Sequence, residues 1–327
     1  MKSEILVRAD MDCPPGGMEL LTPGSSLKWG RCRFDFNPDE GGRADFAVVL
    51  GNARPRDRFV CAPENTLFIA GEPLAKKLYP RAFYGQFGHV VDSHAASRHP
   101  HLHVSALGLN WHVGLDRSSN CYRYGYDHLS ALTYPEKQNR ISVVCSNASK
   151  TEGQRQRLAL LDGLKQRLGD RLVHFGRGFE PIDDKMDGIL PYRFHLVLEN
   201  SVLPNYWTEK LADAYLGWAY PVYLGCPNVG DYLPAEALVS INDLDVDAAA
   251  ARIAVLLDQP VEPRGEAALA EARSRVLNIY NPFAWAARWA ELLYRTDLPE
   301  RTVTLRSHKA FRSLGRGHLF RLRNALA

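Results

Sequence analysis

Between Tyr192 and Trp218 the sequence reads YRFHLVLENSVLPNYWTEKLADAYLGW, and four of its residues have the right types and order for anion chemistry. The apolar run Phe194–Leu198 predicts a buried strand, and it ends on Glu199 and Asn200. A short loop through Pro204 and Tyr206 follows, and Thr208 or Asn205 can cap a helix. Glu209 and Lys210 then fall in the first helical turn. Glutamate suits that position; lysine does not, because a helix N-terminus already carries partial positive charge. Lysine beside free backbone N–H groups makes a site for an anion such as a pyrophosphate. The neighbouring carboxylate can accept hydrogen bonds from ribose hydroxyls, as acidic residues do in dinucleotide folds. The residue types equally allow an ordinary solvated ion pair at a helix end.

The elements around this segment have to position it. Ile141–Cys145, Leu172–Phe175, Phe194–Leu198, Pro221–Leu224 and Leu238–Ile241 read as strands. Between them lie a helix carrying Leu158, Leu161, Leu164 and Leu168 on one face, and a helix Thr208–Trp218. Further helices are expected at Asp247–Leu257, Glu266–Leu277 and Pro282–Tyr294. Alternation of this kind predicts a parallel sheet covered on both faces, with ligands at the carboxyl ends of the strands. The first third is less regular and rich in Gly and Pro. Its strand candidates are Ile5–Arg8, Phe46–Leu50, Thr66–Ala70, His89–Asp92 and His103–Ala106. The aromatic stretch from Leu115 to Arg140 shows little periodicity and reads as a linker. The expected division is an N-terminal α/β domain over 1–135, a Rossmann-like domain over 136–300 and a basic amphipathic tail over 301–327.

Phe194, Glu199, Asn200, Tyr206, Thr208, Glu209 and Lys210, followed by Pro221, Val222, Gly225 and Asp243, resemble a known donor-binding signature. It is that of the α1,3/α1,4-fucosyltransferases, glycosyltransferase family 10. Ser146–Asn147 at the end of strand Ile141–Cys145 is similar to an upstream element of that family, with Arg155 or Arg157 as the arginine that follows. The resemblance implies an α/β fold of GT-B type, two facing Rossmann-like domains with the nucleotide held by the C-terminal one. It further implies inverting transfer of L-fucose from GDP-fucose to an oligosaccharide or glycolipid, with no metal and no cofactor beyond the GDP-sugar itself. Ser146, Asn147, Arg155 or Arg157, Glu199, Asn200, Tyr206, Thr208, Glu209 and Lys210 would bind the donor. The family's base is a carboxylate at a strand end shortly before proline, and Glu72 in Gly-Glu-Pro resembles it. Glu72 could equally terminate its strand in solvent; Glu199 and Asp92 are the next candidates. Two departures stand out: the N-terminal third matches loosely, and Trp218 replaces a residue that is usually small. The alternatives are a transferase for another nucleotide sugar, or a non-catalytic protein that binds nucleotide sugar or glycan on the same fold.

Other clusters invite chemistry and have simpler explanations. Asp243, Asp245 and Asp247 form overlapping Asp-x-Asp patterns, but they lead into a helix, where Asp is a good cap. His99, His101 and His103 alternate without a cysteine or acidic partner to complete a zinc set. Gly176 and Gly178 lack the rest of a dinucleotide fingerprint.

The bulk numbers bound these readings. The chain has 327 residues, 46% of them hydrophobic and 24% charged, the composition of a globular protein of two ordinary domains. The net charge of +3 conceals an asymmetry: seven Lys/Arg and no Asp/Glu lie from Arg301 onward, so the body is mildly acidic. That argues against a nucleic-acid partner, which would need a basic folded surface. The tail alternates Leu and Phe with Arg and Lys, a pattern suited to an anionic membrane surface or to a solvated terminus. The six scattered cysteines form no Cys-x-x-Cys pair. With no secretory-type leader in the opening residues, they predict a cytoplasmic protein, peripheral at most to the inner face of the membrane.

Overall fold

The computed structural model describes residues 4–74, 76–150, 152–241, 245–259 and 263–311. The chain folds into two compact units, and neither is a single stretch of sequence. One runs to Pro14, resumes over Thr22–Gly108 and takes up the chain again from Pro282; the other comprises Pro15–Leu21 and Leu109–Asn281.

The second unit carries the expected parallel sheet. Its strand order is Leu172–Phe175, Gln138–Val144, Tyr192–Leu198, Tyr220–Leu224 and Val239–Ser240. All neighbours are parallel. Both faces are covered, so the strands are continuous apolar runs rather than alternating ones. Helices Glu152–Leu168 and Val246–Asp258 pack together over one face. They enclose Ile141, Val143, Phe194, Leu196, Val222, Leu160, Leu164, Ile253 and Leu257 in one core. Each such side chain contributes on the order of 1.5–3 kcal/mol when fully buried. Leu160 replaces Leu158 on the innermost stripe; Leu158 packs at its margin. Helix Glu209–Leu216 lies against strands Tyr192–Leu198 and Tyr220–Leu224.

The first unit is also built on a mostly parallel sheet. Its order is Lys28–Trp29, Cys32–Phe36, Ile5–Asp10, Phe46–Gly51, Thr66–Ala70, His89–Asp92 and Leu102–Val104, with only the first pair antiparallel. Phe68, Tyr79, Phe83, Tyr84 and Phe87 form an aromatic cluster on it, with ring centroids 5.0–6.0 Å from Phe68.

Three boundary expectations are corrected. Leu115–Arg140 is not a linker: it belongs to the second unit, with a short hairpin of Leu115–Asp116 and Cys121–Tyr122 and a helix Tyr126–Ala131. Helix Pro282–Leu293 packs on the first unit's sheet, with Phe283 edge-on to Phe34 at 5.1 Å and to Phe36 at 5.7 Å. The basic segment does not begin as a tail. Arg301–Arg306 pairs antiparallel with Arg56–Cys61, burying Val303 and Leu305 while Arg301, Thr302 and Arg306 stay exposed. The charge count registered the arginines, whereas the strand lies in the buried valine and leucine between them. The rest of the proposed membrane segment, 312–327, lies outside the described residues, as does Asp243. Among the described residues no helix is long and apolar enough to cross a membrane.

Leu305 is 2% exposed, so Leu305→Ala should cost about 2–5 kcal/mol in chemical denaturation. A change within about 0.5 kcal/mol, as for a surface position, would contradict a packed strand there.

Candidate functional site

Strand Tyr192–Leu198 ends beside strand Tyr220–Leu224, and the Glu199 N–H donates to the Leu224 carbonyl at 2.9 Å. The Glu199 side chain is then buried under the loop that follows, at 6% exposure. Its carboxylate receives the Thr208 backbone N–H at 2.8 Å and the Thr208 hydroxyl at 2.8 and 3.0 Å. The Lys210 ammonium reaches the same carboxylate at 3.3 Å. Thr208 is the N-cap of helix Glu209–Leu216, accepting from the Lys210 N–H, and its hydroxyl also accepts from Lys210 Nζ at 2.9 Å. One hydroxyl thus gives its proton to Glu199 and uses its lone pairs on Lys210. A Cβ on Gly225 would sit 2.6 Å from Glu199 Cγ and 2.3 Å from the Tyr223 hydroxyl, so glycine is required where the next strand ends.

Lys210 is bound on its other side by Glu209, at 3.2 Å. Burial lowers the affinity of its amine for a proton, but the Glu199 and Glu209 carboxylates more than offset this and hold its pKa above the usual lysine range. For Glu209, burial works upward and the Lys210 ammonium, with Lys185, outweighs it, so the carboxylate stays ionised.

The structure places the two arginines differently. Residues two apart on a helix point to opposite faces. Arg155 is turned outward, half-exposed and paired with Glu152. Arg157 is buried and donates from Nη1 to the Asn200 side-chain carbonyl at 2.6 Å, while its buried Nε has no partner. Arg157 and Lys210 line one small cavity with Cys145, Leu198, Lys185 and Asp213, where two adjacent parallel strands end. This is the carboxyl-end location at which open α/β sheets hold ligands.

Not every expected residue joins them. Asn147 is exposed, its N–H on the Arg177 carbonyl at 3.0 Å and its side chain against Gly178; Ser146 is half-buried. Tyr206 is buried in the loop, beside Trp207. Glu199 and Thr208 spend their polar atoms on each other and on Lys210, so they position the site from beneath rather than face a ligand.

Sequence reasoning missed three residues: Asp213, Lys185 and His112. Asp213, 1% exposed, accepts the N–H groups of His112 and Val113 at 2.7 and 3.1 Å and pairs with Lys185 at 2.6 Å. A lone aspartate between Leu211 and Tyr215 on an apolar helix face was the available signal for it. Asp184 extends the clamp, accepting the Gly114 N–H at 3.0 Å and the Tyr124 hydroxyl at 2.6 Å. His112 Nδ1 lies 3.7 Å from Glu209 Oε1. Burial and Lys185 push its pKa down to about 4 against the pull of Glu209 and Asp213, so it is neutral near pH 7.

In the first unit, Glu72 follows strand Thr66–Ala70 and bonds Lys76 at 2.5 Å, with a third of its side chain exposed. A Cβ on Gly71 would lie 2.9 Å from the Gly51 Cα, so the neighbouring strand ends approach closely here. Asp92 is only 1% exposed and is used by Tyr84, Ser97 and the Ser93 N–H, which leaves it unfit to take a substrate proton. Asp245 caps helix Val246–Asp258, and Asp247 pairs with Arg167. His99 and His101 bond the carbonyls of Phe87 and Gly88, and His103 bonds His89. Among the described residues no group of His, Cys, Asp and Glu could hold a metal ion.

Two units, each built on a parallel or mostly parallel sheet, give the chain a fold of GT-B type. An alpha1,3-fucosyltransferase structure with GDP shares that fold, at a TM-score of 0.50 and 18% identity over 91% of this chain and 94% of that one. Residues 134–262 match the family model described as glycosyltransferase family 10 (fucosyltransferase) C-term. The curated relative 3-galactosyl-N-acetylglucosaminide 4-alpha-L-fucosyltransferase FUT3 of Homo sapiens is 31% identical over 143 residues, 42% of this chain and 38% of that protein. The 4-galactosyl-N-acetylglucosaminide 3-alpha-L-fucosyltransferase FUT6 of Pongo pygmaeus is 40% identical over 75 residues, 21% of each chain. At best, then, the chain matches little more than a third of these relatives' own length.

Proposed function

We propose that this chain is an inverting glycosyltransferase that moves L-fucose from GDP-fucose to a hydroxyl of an acceptor glycan. The observation that carries this reading is the meeting of Arg157 and Lys210 in one cavity at adjacent strand ends. Two cations and a helix N-terminus suit a diphosphate, and Glu209 beside them suits a ribose hydroxyl. The family 10 match over 134–262 and the names of the relatives support the sugar and the nucleotide. Those names describe galactosyl-N-acetylglucosaminides as the relatives' acceptors; here an oligosaccharide or a glycolipid is proposed.

Transfer with inversion by direct displacement needs two services. Negative charge growing on the leaving GDP is met by Arg157, Lys210 and the dipole of helix Glu209–Leu216, which requires no metal. The acceptor hydroxyl must lose its proton as the new bond forms, and Glu72 is the proposed base. Its strand-end position and partial exposure support that role.

Calorimetry with GDP tests the donor site. Arg157→Ala and Lys210→Ala should each remove a charge-assisted contact of about 1.5–3 kcal/mol, while Arg155→Ala leaves affinity unchanged. Equal losses at 155 and 157 would overturn the assignment. Transfer assays in EDTA test the chemistry: the unmodified chain should turn over without added metal, and Glu72→Gln should lose ~10²–10⁴-fold in rate while binding GDP normally. Near-normal transfer by Glu72→Gln removes it as the base, and turnover only with manganese removes the metal-free mechanism.

A further inference from the structure

We infer that His112 is a positioning residue for Glu209, fixing the carboxylate that reads the nucleotide's ribose. The inference rests on the donor-site reading above and adds to it a residue outside the donor-binding signature.

His112 is the fixed partner of the two. Its backbone N–H is held by Asp213 at 2.7 Å, and the next two N–H groups are held by Asp213 and Asp184 at 3.1 and 3.0 Å. Asp213 is itself pinned by Lys185 at 2.6 Å. Three consecutive backbone donors are thus consumed by two carboxylates, and the backbone from which the imidazole projects is held in place. Its Nδ1 is buried and has no hydrogen-bond partner. Glu209 Oε1 lies 3.7 Å away, beyond a full hydrogen bond but within easy closing distance.

Glu209 is the adjustable partner. Its side chain is 18% exposed and otherwise tied to Lys210 at 3.2 Å. Lys210 alone would draw it back toward Thr208 and the buried Glu199. A neutral imidazole with its proton on Nδ1 offers a second donor on the other side, and a buried donor left unmade is costly. Glu209 held between Lys210 and His112 presents its remaining lone pairs in one direction, which is what recognition of a single sugar hydroxyl requires.

The test compares binding of GDP, 2′-deoxy-GDP and 3′-deoxy-GDP by calorimetry to the full chain, to His112→Asn and to His112→Gln. The asparagine amide occupies the place of Nδ1, and the glutamine amide that of Nε2. The unmodified chain should prefer GDP over at least one deoxy analogue by about tenfold. His112→Asn should keep that preference, and His112→Gln should lose it by weakening GDP while leaving the deoxy analogue nearly unaffected. Retention of the preference by both variants, loss by both, or equal weakening of all three nucleotides would overturn the role of His112. Failure of the unmodified chain to bind GDP would instead overturn the donor-site reading, and the inference with it.

Discussion

The candidate site hangs on one buried carboxylate. Glu199 leaves the end of a central strand, and everything that follows is arranged around its two oxygens: the Thr208 N–H, the Thr208 hydroxyl and the Lys210 ammonium. A carboxylate out of water is costly unless its hydrogen bonds and counter-charge are both supplied, and here they are. Breaking such a buried pair by removing one partner typically costs about 3–5 kcal/mol, because the other is left uncompensated. The interaction therefore fixes the loop's return point, starts helix Glu209–Leu216 at Thr208, and aims Lys210 at the strand ends.

A second set of charges works the same way one turn along that helix. Asp213 looks back to Lys185 and to the backbone at 112–113, tying an otherwise irregular aromatic stretch to the helix. Both faces of the helix start are thus held by ion pairs closed within the unit. What remains for a ligand is the outward part of Lys210, Arg157 with its unpaired Nε, and the ionised Glu209. Preorganised cations of this sort need little rearrangement when a leaving group gains charge.

Most of the second unit was legible in the sequence because its signals are local. Leu172–Phe175 was read to the residue, and Phe194–Leu198 lacked only two residues at its start, since buried parallel strands are continuous apolar runs. Capping chemistry offered Thr208 or Asn205 as cap and put Lys210 in the first turn, and the structure takes Thr208. The burial of Arg157 and exposure of Arg155 were not legible: they depend on which helix face meets the sheet, and both lie on an amphipathic stretch. The chain's return to the first unit at Pro282 was invisible for another reason. Helix Pro282–Leu293 and strand Arg301–Arg306 look the same whichever unit they pack on, and their partners Phe34 and Arg56–Cys61 lie more than 200 residues away in sequence. His112 had no signal either, since Asp213 and Asp184, which hold its loop, lie 70 or more residues away in sequence.

The most direct measurement is calorimetric titration of GDP into Glu199→Gln beside the unmodified chain. Glutamine keeps the shape and removes the charge, so Lys210 loses its deepest counter-ion and Thr208 its doubly bonded anchor. The account predicts that GDP affinity falls by about tenfold or more, although Glu199 faces no ligand itself. Unchanged affinity in Glu199→Gln would contradict the claim that this buried carboxylate organises the site.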